Sequence, residues 1–370
     1  MQRVLQVVDS MDMGGIQTFI MNVYRHIDRS TIQFDFLVFR DNKQTFEGEI
    51  LQLGGKIYKL PGRHDGLLKN KKAIKNFFDE HQRYKIIHYH TSSLSDIGII
   101  KEAYRRKIPI RIIHSHSTHV SGNKIHLYMH KIHKKSIGKL ANHYLACGEL
   151  AGKWFYKGTE VENKVVIVNN GIDCNEYKFS EEKRIRMRKE LKIENNFVIG
   201  HVGRFSEVKN HRFILQVFAR LIEKYPEKKP KLILIGNGIL FDEIKQLAQK
   251  LNIINDILFL GIRHDVSEIL QAMDVMIMPS LYEGFPVTAL EAQAAGLPCV
   301  LSDTITKAVV IKENVVMRSL LDSWEEWADE LVGMKERMPD NDLLFISGFD
   351  INVTVQQLMK VYLNKDVNKC

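Results

Sequence analysis

The stretch YEGFPVTALEAQAAGLP, Tyr282 to Pro298, sets two carboxylates, Glu283 and Glu291, with seven residues between them. Pro286 stands where a helix begins, and Gly296 followed by Pro298 closes it, so the spacing predicts a helix over 286–295. Glu283 then lies in the loop before the helix and Glu291 about one and a half turns inside. A strand, a glycine-bearing loop and a helix N-terminus together favour phosphate, because unpaired N–H groups and the positive end of the dipole converge there. Two carboxylates would repel a phosphate, so they suit the hydroxyls of a sugar on either side of it. Taken alone, the same residues also read as ordinary helix punctuation.

They do not stand alone. GHVGRFSEVKNH puts Arg204 and Lys209 just after the apolar run 197–202, close enough for both to reach one anion from a single loop. A guanidinium fork beside an ammonium point charge suits a diphosphate. LILIGNG adds Gly236 and Gly238 for a tight turn at another strand end, without the third glycine of a dinucleotide fingerprint. In the first half, DMGGIQT places Gly14 and Gly15 between the first strand and the first helix, where a ligand can approach the backbone. His88 with His90, and His114 with His116, stand at the C-terminal ends of predicted strands, the edge where open α/β sheets bind ligands.

The elements that must position these residues follow from the alternation of short apolar runs with amphipathic stretches, the pattern of parallel sheets covered by helices. Strands are predicted at 3–8, 34–39, 85–89, 110–114, 143–146 and 165–168, and again at 197–202, 232–235, 257–260, 275–278 and 299–301. The charged stretch SEEKRIRMRKELKIENN separates the two series, so a domain boundary is expected near 175–195. Trp324, Trp327, Leu331, Met334 and Met338 form one helical stripe in the tail, and Val355, Leu358, Met359 and Tyr362 another. A chain of 370 residues suits two domains. Residues 1–180 carry 28 Lys and Arg against 17 Asp and Glu, hence +11, while residues 181–370 carry 25 against 27, hence −2. The basic half therefore faces something anionic, a phosphate or a membrane surface. Cys147, Cys174, Cys299 and Cys370 are scattered, which implies free thiols in a reducing compartment. No apolar run approaches a bilayer span, and a cytoplasmic protein is expected.

Together these residues resemble glycosyltransferase family 4, retaining enzymes of the GT-B fold, over nearly the whole chain. MGG, QFDFLVFR, HSHS, NNGID, GRFSEVKNH and MPSLYEGFPVTALEAQAAGLP look most like the transferases of bacterial exopolysaccharide and capsule synthesis. The resemblance implies two Rossmann-like βαβ domains facing each other across a cleft. Residues 1–180 would bind the acceptor and 181–345 the nucleotide-sugar, with a C-terminal helix in 346–370 returning to the first domain. Arg204 and Lys209 would neutralise the diphosphate, Glu291 would hold the ribose hydroxyls and Glu283 would contact the donor sugar. Gly284, Phe285, Pro286 and Val287 would surround sugar and phosphate, and Gly14, Gly15, Gly236 and Gly238 count as further donor-binding positions. His116, or His114 if the loop is shifted, would face the reacting sugar. His116, Arg204, Lys209 and Glu283 form the implied catalytic set.

The implied reaction moves a hexose or N-acetylhexosamine from a UDP-sugar, a substrate rather than a cofactor, to a hydroxyl of a glycan or lipid-linked acceptor. No metal is expected, since the only Asp-x-Asp, Asp340 to Asp342, reads as a polar tail loop. The run His126, His130, Lys131, His133, Lys134 and Lys135 would lie near an anionic membrane on the inner face of the plasma membrane. A UDP-sugar epimerase and a non-catalytic nucleotide-sugar binder are the alternatives. Nucleic-acid binding is disfavoured, because interleaved aromatics and recognised motifs are missing.

Overall fold

The computed structural model describes residues 1–12, 14–40, 44–117 and 124–364. They form two compact units, one running Met1–Gly171 and taking up the tail from Ile351, the other Ile172–Asp350.

The first unit is built on seven parallel strands, β1 (Gln2–Val7), β2 (Ile32–Val38), β3 (Ile57–Lys59), β4 (Ile86–Thr91), β5 (Ile110–Ser115), β6 (His143–Ala146) and β7 (Val165–Ile167), in the order β3-β2-β1-β4-β5-β6-β7. Helices cover both faces, so the strands read as near-continuous apolar runs. Val4, Ile86 and Ile112 pack with the first helix, Gly15–His26, and with the tail helix, Ile351–Tyr362. Leu5, Val7, Ile87 and Ile113 pack on the opposite side with Phe77, Phe78 and Phe155. Asp35 is fully buried on β2, where Arg3 (2.6 Å) and the Tyr84 hydroxyl (2.6 Å) donate to its carboxylate. Burial opposes its ionisation, but these donors win and hold the carboxyl below its ordinary range.

The second unit carries β8 (Val198–Val202), β9 (Lys231–Ile235), β10 (Ile257–Gly261), β11 (Val275–Met278), β12 (Cys299–Ser302) and β13 (Val315–Arg318), ordered β10-β9-β8-β11-β12-β13 and parallel throughout. In both sheets the strand order reverses once, between β1 and β4 and between β8 and β11. Connections on either side of such a point leave in opposite directions and open a crevice at the strand C-termini. The diglycine follows β1 and the histidines lie along β4 and β5; Arg204 follows β8 and Glu283 follows β11. The diglycine, the histidines, the Arg204 and Gly236 loops and Glu283 therefore each border a switch point or its next strand.

Several boundaries differ from expectation. The division falls after Gly171 rather than at 180, because the short helix Cys174–Tyr177 packs on the helices Val266–Ala272 and Val287–Ala294 of the second unit. The charged stretch expected as a connector is a helix, Glu181–Glu190, started by the Ser180 hydroxyl accepting the Lys183 N–H. Two of its three arginines turn inward: Arg184 meets Asp274 at 2.5 Å and Arg188 donates to the Ala272 carbonyl at 2.8 Å. The tail returns to the first unit at Ile351 rather than 346, since Asp342–Ile346 is a helix of the second unit. The helix of the Trp324 stripe ends at Gly333, before Met334 and Met338. β3 and β13 are edge strands of three and four residues, too short to show a pattern.

Candidate active site

In the second unit, the loops after β8 and β11 are tied together. The Leu281 N–H donates to the Val208 carbonyl at 2.8 Å, and the Asn210 amide to the Pro279 carbonyl at 3.1 Å. Within this clasp Lys209 Nζ lies 2.5 Å from Glu283 Oε1, and the Ser280 hydroxyl donates to the same oxygen at 3.0 Å. Both partners are mostly buried, 18% and 15% exposed, so solvent screens their attraction little. Arg204 is exposed and pairs with no carboxylate among the described residues. The sequence expectation gave Lys209 to a phosphate and Glu283 to a sugar; the structure brings the two together as an ion pair with a free guanidinium on the same loop.

Gly236 and Gly238 have a different duty from ligand approach. A Cβ on Gly236, at φ +135°, would fall 2.1 Å from the Gly203 carbonyl oxygen, and one on Gly238 2.3 Å from that of Phe205. Their loop packs directly on the Arg204 loop, and the Phe205 N–H donates to the Asn237 carbonyl at 3.1 Å. They place Arg204; protein backbone, not a ligand, occupies the space a side chain would need.

The helix after Glu283 runs Val287–Ala294, with Pro286 as its N-cap rather than its first residue. Pro286 has no N–H, so Gly284, Phe285 and Val287 are the only backbone donors in this stretch. The Phe285 ring stacks on Phe349 at 5.2 Å, which anchors the loop. The helix closes as a Schellman motif: Gly296, at φ +67°, donates to Gln293, and Leu297 to Ala292. Glu291 stands half-buried on this helix with the Tyr177 hydroxyl in hydrogen-bonding position. Burial raises its carboxyl to about 7; Tyr177 opposes the rise and Glu176 adds to it. Thr288 Oγ1, one turn earlier, is buried without a partner among the described residues. Tyr177 and Thr288 carry no motif, and only the fold reveals them.

In the first unit, Gly14 caps the first helix in an extended conformation, and a Cβ on it would strike Gln17 Oε1 at 2.5 Å. Gln17 is fixed by donating to the Ser10 carbonyl at 2.8 Å. Gly15 is exposed, and a Cβ there meets nothing within 4 Å, so a ligand can approach this helix start. A cavity of about 630 Å³ opens nearby, lined among others by Asp9, Gln17, Arg63, His90, Thr91 and Asp96. Of the four histidines, His88 and His114 are 0% exposed and shut off from ligand, His90 is 3% exposed and reaches the cavity wall only at an edge, and His116 is partly exposed. Burial keeps them neutral, pushing His116 down to about 3 and the other three well below the ordinary imidazole range.

Two family models together take in most of the chain: "Glycosyltransferase Family 4" matches residues 13–176 and "Glycosyl transferases group 1" residues 182–331. EpsF of Bacillus subtilis (strain 168) is 35% identical over 388 aligned residues that take in 100% of this chain and 99% of that protein. The chain belongs to glycosyltransferase family 4. This family 4 glycosyltransferase is also 25% identical, over 83% of each chain, to the UDP-Gal:alpha-D-GlcNAc-diphosphoundecaprenol alpha-1,3-galactosyltransferase of Escherichia coli. Among solved structures, the Anabaena protein Alr3699/HepE in complex with UDP superposes with a TM-score of 0.80 at 19% identity, over 98% of this chain and 100% of that one. The fold is thus GT-B.

The basic run of the transferase splits by side. On the surface helix Lys124–Lys134, His130 is 3% exposed, stacks on Trp154 at 4.5 Å and accepts the Leu94 N–H at 3.0 Å. His133 meets the Leu94 carbonyl at 2.6 Å and Lys134 donates to the Trp154 carbonyl at 3.3 Å. These three face inward, correcting the expectation for them. Lys131 and Lys135 remain outside, joined by the exposed side chains of Ile125, Leu127, Tyr128 and Ile132. Among the described residues no helix is long and apolar enough to cross a membrane. Cys147, Cys174 and Cys299 are free thiols; Cys370 lies outside the described residues.

Proposed function

We propose that the transferase moves a hexose or N-acetylhexosamine from a UDP-sugar to a hydroxyl of a lipid-linked or oligosaccharide acceptor, with retention at the anomeric carbon, in exopolysaccharide or capsule assembly. The observation that carries this reading is the Lys209–Glu283 pair beside the unpaired Arg204 at the β8–β11 switch point. Departure of the nucleoside diphosphate builds negative charge on its oxygens, and preorganised cations stabilise charge where it develops. Arg204 is available to the diphosphate at once. Lys209 would be shared, its ammonium between the leaving diphosphate and Glu283. Glu283, once relieved of part of that charge, can accept a hydroxyl of the transferred sugar, while Glu291, one and a half turns into the helix, would take the ribose hydroxyls. With side-chain cations in this role, the reaction is proposed to need no divalent ion.

The acceptor is assigned to the first unit, at the cavity beside Gln17, His90 and Thr91, with His116 just past the end of β5 and bonded to His90. Support for a lipid-diphosphate acceptor comes from the named substrate of the Escherichia coli relative and from the exposed apolar and basic side chains of helix Lys124–Lys134. A thermal-shift screen of UDP-, GDP- and ADP-sugars tests the donor, followed by mass analysis of products with and without EDTA. Stabilisation by UDP-sugars and acceptor-dependent transfer that survives EDTA are expected. Conversion of a UDP-sugar to a free sugar or an epimer without acceptor would replace this reading.

A further inference from the structure

Beneath His116 the first unit buries a continuous polar network in an otherwise apolar layer. The residues alternate along adjacent strands: Gln6 pairs in register with His88, and His90 with His114, so their side chains share the face covered by Phe19 and the tail helix. Gln6 is 1% exposed. Its carbonyl oxygen Oε1 lies 2.8 Å from His90 Nε2, and its amide Nε2 donates to the Tyr362 hydroxyl at 3.2 Å. From there one branch runs from His90 Nδ1 to His116 Nε2 at 2.9 Å. The other runs from the Tyr362 hydroxyl to His88 Nδ1 at 2.8 Å, and from His88 Nε2 to His114 Nδ1 at 3.1 Å.

An amide oxygen can only accept, so His90 must carry its proton on Nε2. A neutral imidazole has one N–H, so His90 Nδ1 is then an acceptor and His116 must donate to it from Nε2. His116 Nδ1, which has no partner among the described residues, is left as a bare lone pair. We infer that Gln6, acting through His90, fixes the proton of His116 on Nε2 and presents Nδ1 as the hydrogen-bond acceptor toward the substrate. Gln6 and His90 are thus positioning residues, and the Tyr362 hydroxyl takes up the other end of the amide. This rests on the reading that His116 faces the reacting sugar. A buried metal is the competing use of His88, His90 and His114, whose ring nitrogens lie within 4.8 Å of one another. Hydrogen bonds already engage every one of those nitrogens except His114 Nε2, which is buried and partnerless. One free nitrogen cannot ligate an ion without dismantling the network.

The deciding measurement is the ring-nitrogen tautomer of His116 in the full-length, ¹⁵N-histidine-labelled protein by two-bond proton–nitrogen correlation, its signals identified by their loss in His116→Asn. Protonation on Nε2 for His90 and His116 is expected. A His116 protonated on Nδ1, which is what the Gln6 amide turned end for end would impose, or an even mixture, overturns the inference without any variant being needed. Gln6→Met keeps the shape and removes both hydrogen-bonding ends. In that variant we expect a mixed His116 tautomer and a kcat lower by about tenfold or more, with the donor KM within about twofold. An unchanged tautomer and kcat in Gln6→Met would equally overturn it. Unchanged transfer by His116→Asn would instead remove the substrate-facing role of His116 and leave the tautomer result standing, so the two failures are separable.

Discussion

At the β8–β11 switch point the polar groups are charged and meet in one ion pair, Lys209 with Glu283, beside an exposed Arg204. At the β1–β4 switch point the polar groups are Gln6, four histidines and Tyr362, and burial holds every imidazole neutral. One topology, used twice, thus carries two kinds of polar group. On the proposed reading a diphosphate leaving group needs cations that are already in place, and Glu283 would offset the cost of burying Lys209 until a phosphate arrives. On the same reading a hydroxyl acceptor needs direction more than charge, and a buried network of neutral rings with assigned protons would supply direction.

Truncation at the charged switch point should therefore cost most. Lys209→Ala is expected to lower turnover by about 10²–10³-fold, the range for removing one donor aimed at developing charge, as read by single-turnover transfer from a UDP-sugar. A fall confined to KM would mean that Lys209 binds ground state and transition state alike. Glu283→Gln separates the partners of the pair. If Glu283 competes with the diphosphate for Lys209, this variant should bind UDP severalfold tighter by calorimetry while its kcat falls about tenfold, an order-of-magnitude expectation for one lost hydrogen bond to a charged group. Loss of UDP affinity equal to that of Lys209→Ala would show instead that Glu283 only holds the lysine in place.

Glu291 sharpens the contrast through pH, because burial lifts its carboxyl to about 7. Below that pH it is protonated in the free enzyme and accepts hydroxyl hydrogens poorly. Affinity for a UDP-sugar, whose diphosphate stays ionised, should therefore fall as pH drops below 7, by at most about tenfold per unit. Glu291→Gln should bind weakly with a flat profile; a wild-type profile that is already flat would take Glu291 off the ribose. The same group has a stability signature of opposite sense to a salt-bridged acid. Its folded pKa lies above the unfolded value, so its contribution is full at acid pH and is lost as pH rises through about 7.

These contrasts were unequally legible in the amino-acid sequence. The strand–helix alternation, two sheets and the Arg204, Lys209 and Glu283 loops were readable because apolar periodicity and glycine or proline punctuation are local signals. The inward turn of Arg184, Arg188, His130 and Lys134 was not, since a charged side chain buries only where a distant carboxylate or carbonyl meets it, as Asp274 meets Arg184. Gly236 and Gly238 were seen as glycines, but what they clear space for is backbone of another loop. Gln6, Tyr177 and Tyr362 were invisible as site residues for a related reason. Their partners lie far along the chain, and no spacing rule connects Gln6 to Tyr362.

The smallest expected effect concerns the charge that serves neither switch point. The excess of +11 over residues 1–180 leaves the histidine network neutral, and part of it lies outside, where Lys131 and Lys135 flank the exposed Ile125, Leu127, Tyr128 and Ile132. If that surface meets an anionic bilayer, each lysine contributes about 1 kcal/mol near the surface, and the apolar side chains add a part that salt does not screen. Lys131→Glu with Lys135→Glu should then weaken sedimentation with phosphatidylglycerol-containing vesicles at low salt, while transfer to a water-soluble acceptor stays unchanged. Tyr128→Ser with Ile132→Ser should weaken it at high salt as well. Binding that depends on neither lipid charge nor these four side chains would leave the basic half as an ordinary solvated face, and would confine the functional difference between the two units to their switch points.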